Sequence, residues 1–335
     1  MHIDVLEEDT LVRVGWVDVW VSLYWEDAYR TMGRFTLEVR PTPENLSLLR
    51  EGRWLKRSDS DLPMRICDRS QQDQDAPLVC SGFAATWLLT RRVSTTIIKD
   101  QPAEAAMRQL VADMTPWPRL ELGQAGGFDT RFDKRTSGGS VFEYCETIAA
   151  ACDLGFRIRL TGKGRSKKLL FEVYRPTADP NHRYSTAWGT LTSLGWRFAD
   201  TDYANVAIVQ GAGEGGDRTT VTVGDTAATG SARREIYVDA RDVQPDEEKG
   251  ETIQSASYLT RLADRGGKKL LEQLRTGVIE FDPEDEGLHP GDVLRVQIPE
   301  MGYRATVRVA AVILQSQADR TTCTTRLGTP VWTKY

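Results

Sequence analysis

The sequence predicts an α+β, β-rich fold in three parts: a β region, an α+β region, and a second β region carrying one helix. Two patterns set that order. Apolar and polar residues alternate with the period of a half-buried strand through most of the first hundred positions and again beyond Asn205, and between these regions the period lengthens to that of two amphipathic helices. The length of 335 residues adds a third observation, because single cores seldom grow beyond roughly 250 residues. The expected domains are 1–100, 101–203 and 204–335.

Each element has a local cause. From Val17 to Trp25 the residues Val17, Val19, Val21, Leu23 and Trp25 share one face, opposite Asp18, Ser22 and Glu26. After a turn at Gly33, Phe35, Leu37 and Val39 alternate with Arg34, Thr36, Glu38 and Arg40, until Pro41, which cannot donate to a ladder, ends the run. The pair predicts a long antiparallel hairpin. Thr42 is placed to cap a short helix opened by Pro43 and stopped by Gly52, with strands to follow over 53–57, 64–68 and 79–90. Pro102 then opens a helix with Ala103, Ala106, Met107, Leu110, Val111 and Met114 on one face, closed by Pro116 and Pro118. Ser140 and Glu143 have the spacing of a capping box for a second helix ending before Gly155, and strands are expected over 156–160 and 169–174.

In the third part a hairpin at Asn205 leads to a strand over 235–238, an acidic loop over 242–251, and a helix over 257–274 marked by Tyr258, Leu259, Leu262 and Leu270. Gly266-Gly267 predicts a kink or break in that helix, since each glycine costs about 1 kcal/mol relative to alanine. Pro290-Gly291 makes a turn before a strand reaching Ile298, and Val307, Val309, Ala311 and Ile313 alternate through another. No repeat of 20 to 50 residues is visible.

Gly211, Gly213 and Gly216 spell G-x-G-x-x-G behind an apolar strand. A dinucleotide loop must open a helix, whose free N–H groups hold the pyrophosphate, yet the β-branched run from Thr219 to Val223 follows. The glycines Gly211, Gly213, Gly215 and Gly216 therefore read as turn residues, as do Pro290 and Gly291. Cys67, Cys80, Cys145, Cys152 and Cys323 are odd in number and never spaced C-x-x-C, which points to reduced, mostly core cysteines. Cys145 and Cys152 share a helix face with Val141, Ile148 and Ala149. His2, His182 and His289 are scattered, so no catalytic, metal or cofactor-binding residue is nominated.

Lysine and arginine total 43 against 48 acidic residues, and a net charge of −5 excludes an indiscriminate nucleic-acid binder. Apolar runs fall short of the roughly twenty residues of a membrane span, and no basic flank precedes an apolar stretch at Met1, so a soluble chain without Sec export is expected. Lys163, Arg165, Lys167 and Lys168 form a basic loop without aromatic interleaving, the pattern of a solvated hairpin tip rather than of a phosphate-contacting patch.

Four segments, 22–39, 78–92, 202–215 and 288–293, resemble in order and spacing the tail-tip hub proteins of long-tailed siphophages, a family akin to the trimeric hub of contractile tails. They include Ser22-Leu-Tyr-Trp-Glu-Asp, Leu78-Val-Cys-Ser-Gly-Phe and Leu288-His-Pro-Gly-Asp-Val293. The resemblance implies a phage tail hub-like fold with two β-barrel-like domains, 1–100 and 204–335, around the inserted domain 101–203. It implies a homotrimer forming a pseudo-sixfold ring at the virion tail tip, made in the host cytoplasm. The implied role is structural and non-enzymatic: closing the distal tail tube, joining the distal tail protein ring to a tip fibre or receptor-binding protein, meeting tail tube and tape measure proteins, and opening for DNA ejection. No cofactor, specific nucleic-acid binding or membrane insertion is implied, and a lumen passing DNA is expected to be neutral or acidic. Fibre, adhesin or hydrolase regions common downstream in the family are expected on other chains. Two rival readings remain: a glycosidase using Asp282 and Glu284, and carbohydrate binding through Trp188, Trp196 or Trp332.

Overall fold

The computed structural model describes the backbone of all residues except 99, 133–138, 177–178, 180–181, 190, 200, 214, 247–249, 274–275, 284–286, 318–319 and 335. For 191–194, 196–199, 217, 276–283 and 332–334 it describes the backbone alone. The chain forms two compact units: Met1–Thr192 with Asp282–Gly328 and Thr333–Tyr335, and Ser193–Phe281 with Thr329–Trp332.

The first unit is built on a long sheet. Its early strands are β1 (Ile3–Leu6), β2 (Arg13–Val17), β3 (Ser22–Ala28) and β4 (Arg34–Val39), then, beyond helix α1 (Pro43–Leu48), β5 (Trp54–Arg57), β6 (Met64–Ser70) and β7 (Leu78–Ala84). They pair in the order β3-β4-β7-β6-β5-β1-β2. On the free side of β3 lies Tyr303–Gln317, followed by Val293–Ile298 and Arg183–Ser185, while Arg320–Leu327 also pairs with Tyr303–Gln317. The hairpin of β3 and β4 forms as its periodicity predicts, with Leu23, Trp25, Phe35, Leu37 and Val39 buried. Thr42 caps α1 by accepting from the Asn45 N–H, and Pro43 stands in its first turn. The helix ends at Leu48, ahead of Gly52.

Two of the expected strands are shorter than the periodicity suggested. The run from Val17 to Trp25 breaks: β2 ends at Val17, pairing with β1, and β3 begins at Ser22, pairing with β4 and Tyr303–Gln317. The four residues between cross from one sheet edge to the sheet interior, so Val19 and Val21 face solvent although their parity matches the core. The run over 79–90 likewise stops at Ala84, and Ala85–Arg91 winds into a 3-10 helix that buries Ala85, Leu88 and Leu89. An apolar run of that kind fits a buried helical turn as well as a strand.

Two cores result. Leu23, Trp25, Phe35, Leu37, Leu48, Leu55 and Ile66 fill one face of the sheet. The other core joins Leu6 and Trp54 to α2 (Ala103–Asp113) and α3 (Val141–Cys152). The predicted face of α2 is buried in full, and Ser140 and Glu143 make the expected reciprocal capping bonds on α3, at 3.2 and 3.1 Å. Asp153, in the left-handed region at φ 52°, ends α3, and its carboxylate receives Arg30 at 2.7 Å and Arg308 at 2.9 Å. A small sheet of Leu120–Leu122, Lys168–Tyr174 and Gly155–Thr161 backs these helices. Arg159 ties it to the first region, reaching Glu172 and Asp61, each at 2.6 Å.

In the second unit Val206–Gln210 runs antiparallel to Thr220–Gly224 and parallel to Glu235–Asp239. Helix α4 (Ala256–Glu272) lies on this sheet and is continuous through Gly266-Gly267, so the expected break there does not occur. The reason is contact. A Cβ on Gly266 would come within 2.5 Å of both Val209 and Val223, whereas one on Gly267 would meet nothing within 4 Å. Gly266→Ala should therefore cost this unit about 2 kcal/mol by lifting the helix off the sheet. Gly267→Ala should be neutral or stabilising by up to about 1 kcal/mol. Urea denaturation of the two variants tests this, and equal midpoints would refute the close-contact reading.

Candidate interaction surface

An open groove of about 1290 Å³ runs along β2 and the crossing residues 18–21 of the first unit, with α1 on one flank and Ser316, Arg320 and Thr321 on another. Sequence reasoning missed its chief residues. In the run from Val14 to Val21, apolar side chains occupy both strand parities, more than one buried face can accept, and that surplus was the available signal. Val17 turns inward, whereas Trp16 is 54% and Val19 74% exposed, with Val14 and Val21 beside them. Isolated apolar residues on a surface are ordinary, but a contiguous set along a sheet edge marks an interaction site.

The groove is held firmly. Trp20 donates its indole N–H to Ser316 Oγ at 3.1 Å, and the Ser316 and Thr321 hydroxyls lie 2.9 Å apart. The Val21 N–H donates to the Glu38 carbonyl at 2.8 Å. These bonds fix residues 18–21 across the strand ends and leave Val19 at their tip. Arg13 lies over the Trp16 ring at 4.9 Å and pairs with Asp4 at 3.1 Å, which limits the ring's rotamers. Among the charged residues lining the groove, exposed Arg40 and Arg320 are matched by exposed Asp18 and Glu44.

The glycine motif lies in the second unit, and the backbone groups at its base are bonded within the fold. The Gly211 N–H donates to Thr219 O at 2.9 Å and the Ala212 N–H to the Tyr258 hydroxyl at 2.7 Å. Arg218 bonds the Gln210 and Gly211 carbonyls and reaches Asp239 at 2.7 Å. Gly213 and Gly215 have φ of +119° and +55°. Gly211 is needed for space, since a Cβ would fall 2.2 Å from the Tyr258 hydroxyl, and Gly216 faces open space. Pro290 and Gly291 form the second turn, where Gly291 has φ +100° and packs against Tyr29 and Pro176.

Of the rival sites, Glu284 lies outside the described residues, Asp282 is described only in its backbone, and the same limits apply to the side chains of Trp196 and Trp332. Trp188 is exposed at the end of a 3-10 turn. In the basic loop, Lys168 pairs with Glu121 at 2.7 Å. Cys80, Cys145 and Cys152 are buried, and burial pushes the Cys80 thiol up to about 12. Among the described residues no three His, Cys, Asp or Glu side chains cluster as a metal site.

One carboxylate is chemically unusual. Burial raises the Asp27 pKa to about 6, against the pull of Arg57 and a 3.2 Å hydrogen bond from the Trp25 indole. The cavity beside it holds about 30 Å³, room for about one water and far too little for a sugar. Its effect is therefore on stability. A raised carboxyl pKa favours folding while the group is protonated, below its ordinary 3.8, and that contribution is lost as pH rises through about 6. Asp27→Asn should match the parent near pH 4 and exceed it by about 2 kcal/mol at pH 7.5. Thermal midpoints across this range check it, and parallel curves for the two proteins would contradict it.

A family model described as Siphovirus ReqiPepy6 Gp37-like protein matches residues 2–329. The tail protein from Neisseria meningitidis MC58 is similar in structure, with 15% identity, 97% of this chain and 96% of that chain covered, and a TM-score of 0.59. The 43 kDa tail protein of prophage MuSo2 from Shewanella oneidensis shares 10% identity over 98% of each chain, with a TM-score of 0.60. Prophage tail protein gp18 from Listeria monocytogenes EGD-e shares 9% identity over 97% of this chain and 94% of that chain, with a TM-score of 0.58. At such identities the likeness is one of fold. No curated protein matches the sequence.

Proposed function

We propose, from the premise that the chain belongs to the Siphovirus ReqiPepy6 Gp37-like protein family, that it is a structural component of a phage tail, acting as the hub at the distal end of the tail tube. The observation that carries the reading is the extent of the fold likeness: three tail proteins, two of them from prophages, superimpose over nearly their whole length and nearly the whole of this chain. The groove supports it. An exposed aromatic and aliphatic sheet edge offers a neighbour backbone hydrogen bonds and apolar area, which suits assembly better than turnover of a small substrate.

In this reading three copies form a ring that meets the distal tail ring and tail tube on one side and a tip fibre or receptor-binding protein on the other. The ring closes the tube and opens when DNA leaves. The chain contributes surfaces and no reaction. Heterologous contacts of this kind close into a ring when the rotation between copies is one third of a turn. Two measurements test the proposal. Antibody labelling should place the polypeptide at the far end of the tail, and light scattering with the distal ring protein present should give three copies per particle. Label spread along the tail shaft, or a stable dimer with and without the ring protein, would overturn it.

A further inference from the structure

Arg183 and Arg295 are register partners where Arg183–Ser185 pairs in parallel with Val293–Ile298, on strands about 4.8 Å apart. Both are exposed, and neither side chain has a hydrogen-bond or ion-pair partner among the described residues. The next strand, Tyr303–Gln317, adds Arg304, exposed and opposite Gln297. Leu294, Val296, Ala305 and Val307 alternate with these positions and are buried, so the three arginines share the outer face of the sheet. Glu300, past the end of Val293–Ile298, accepts from the Thr186 hydroxyl at 2.7 Å and leaves the arginines in excess. Like charges on neighbouring strands destabilise the sheet that carries them, and an anionic partner relieves that repulsion. Trp188, 56% exposed, ends the turn that follows Ser185. Tryptophan and arginine are the residues that most often dominate binding energy at protein interfaces.

The same compact unit carries the opposite charge elsewhere. In the loop between β6 and β7, Asp73 and Asp75 are exposed, no lysine or arginine occurs from Ser70 to Pro77, and neither aspartate has an ion pair among the described residues. The loop is set in shape: Asp73 Oδ1 accepts from the Asp75 N–H at 3.1 Å and the Ala76 N–H at 2.9 Å, and the Gln71 amide donates to the Gln74 and Ala76 carbonyls, both at 3.1 Å. A loop already ordered loses little entropy on binding. From these two surfaces we infer that the face of Arg183, Arg295 and Arg304 receives the Asp73–Asp75 loop of a second copy of this chain. The contact presupposes the three-copy ring proposed above and supplies surfaces for it. In the strand order Tyr303–Gln317, β3 and β4 stand between the arginine strands and β7, and within one chain the two charges go unmatched. A two-fold dimer through either patch would set like charge against like. A head-to-tail contact sets arginine against aspartate and repeats around a ring. Nucleic acid fits less well, because three arginines on a chain of net charge −5 make a narrow track for a phosphate backbone.

The test measures association of the full chain by light scattering, with the distal ring protein present and at low salt. Arg183→Glu with Arg295→Glu should weaken assembly of three copies at least about tenfold. Asp73→Asn with Asp75→Arg, which keeps the Oδ1 acceptor of the turn, should weaken it as well. All four changes in one chain should associate more tightly than either pair alone, because the charges are then exchanged between the surfaces. Thermal midpoints should stay at the parent value, since the arginine positions are exposed and unpaired in the single chain; Arg183→Gln with Arg295→Gln, which removes charge without reversing it, guards against a variant that folds poorly. The contact is overturned if the combined chain associates no better than its halves. Three copies per particle in the arginine variants at parent strength would overturn the contact and leave the ring standing, whereas a parent that never reaches three copies would overturn both. Fluorescein-labelled duplex DNA bound by the parent and lost in Arg183→Glu with Arg295→Glu, with three copies intact, would assign the face to nucleic acid instead.

Discussion

Gly82→Ala should cost the first unit about 3 kcal/mol or more, the largest effect expected from removing so small a constraint. A Cβ at this position would stand 1.8 Å from the Arg65 carbonyl oxygen and 3.0 Å from Cys67 N. Gly82 sits in β7, between β4 and β6, opposite Phe35 on one side and Ile66 on the other. The register of β6 slips between Ile66 and Asp68, and this bulge brings the Arg65 carbonyl into the space a side chain would need. Retreat of β6 is blocked, because Ile66 accepts from the Gly52 N–H and donates to the Arg53 carbonyl, both at 2.9 Å. Either those bonds or the β6–β7 ladder must break. Urea denaturation followed by tryptophan fluorescence would show the shift, with Ser81→Ala as the neighbouring control. A loss below about 0.5 kcal/mol would mean that the strand gap yields freely.

Gly82 also illustrates what was legible in the sequence. The elements governed by local rules could be read directly: the capping box at Ser140, the helix face of Ala103 to Met114, and the alternation through Phe35, Leu37 and Val39. Pairings that depend on distant segments could not. Nothing within β3 announces that its free edge takes residues 311–317, and the bond from Arg326 to Glu26 joins positions 300 apart. The break at 18–21 was hidden for the same reason, since alternation says which residues share a face and not whether that face is covered. The groove was therefore only half visible. Its surplus of apolar residues was in the sequence, but the place of Ser316, Arg320 and Thr321 on its flank became apparent only with the fold. Glu26 and Asp27 make the point for electrostatics: adjacent carboxylates on opposite faces of one strand, one held below its ordinary pKa and the other pushed above it.

Glu26 carries the second large effect. Its carboxylate is almost fully buried and receives the Tyr24 hydroxyl at 2.7 Å, Arg34 Nε at 3.1 Å and a guanidinium N–H of Arg326. Burial alone would raise its pKa, but the bonds from Tyr24, Arg326 and Arg34 outweigh burial and hold the carboxyl below 4.5. Glu26→Ala should cost about 3 kcal/mol at pH 7; a fully buried pair would lose more, but the half-exposed arginines recover hydration once freed. Glu26→Gln keeps the shape and should lose about half as much. A lowered carboxyl pKa stabilises the fold above the ordinary value, and that contribution disappears as pH falls through the folded value. The gap between parent and Glu26→Gln should thus be full at pH 7 and close on acidification below 4.5, and a gap independent of pH would refute the charge-based account. Because Arg326 lies in the strand Arg320–Leu327, which pairs with Tyr303–Gln317, amides of Arg320–Leu327 should exchange faster in Glu26→Ala than those of β4. Uniform acceleration across both strands would instead mean that Glu26 supports the whole sheet and not that edge.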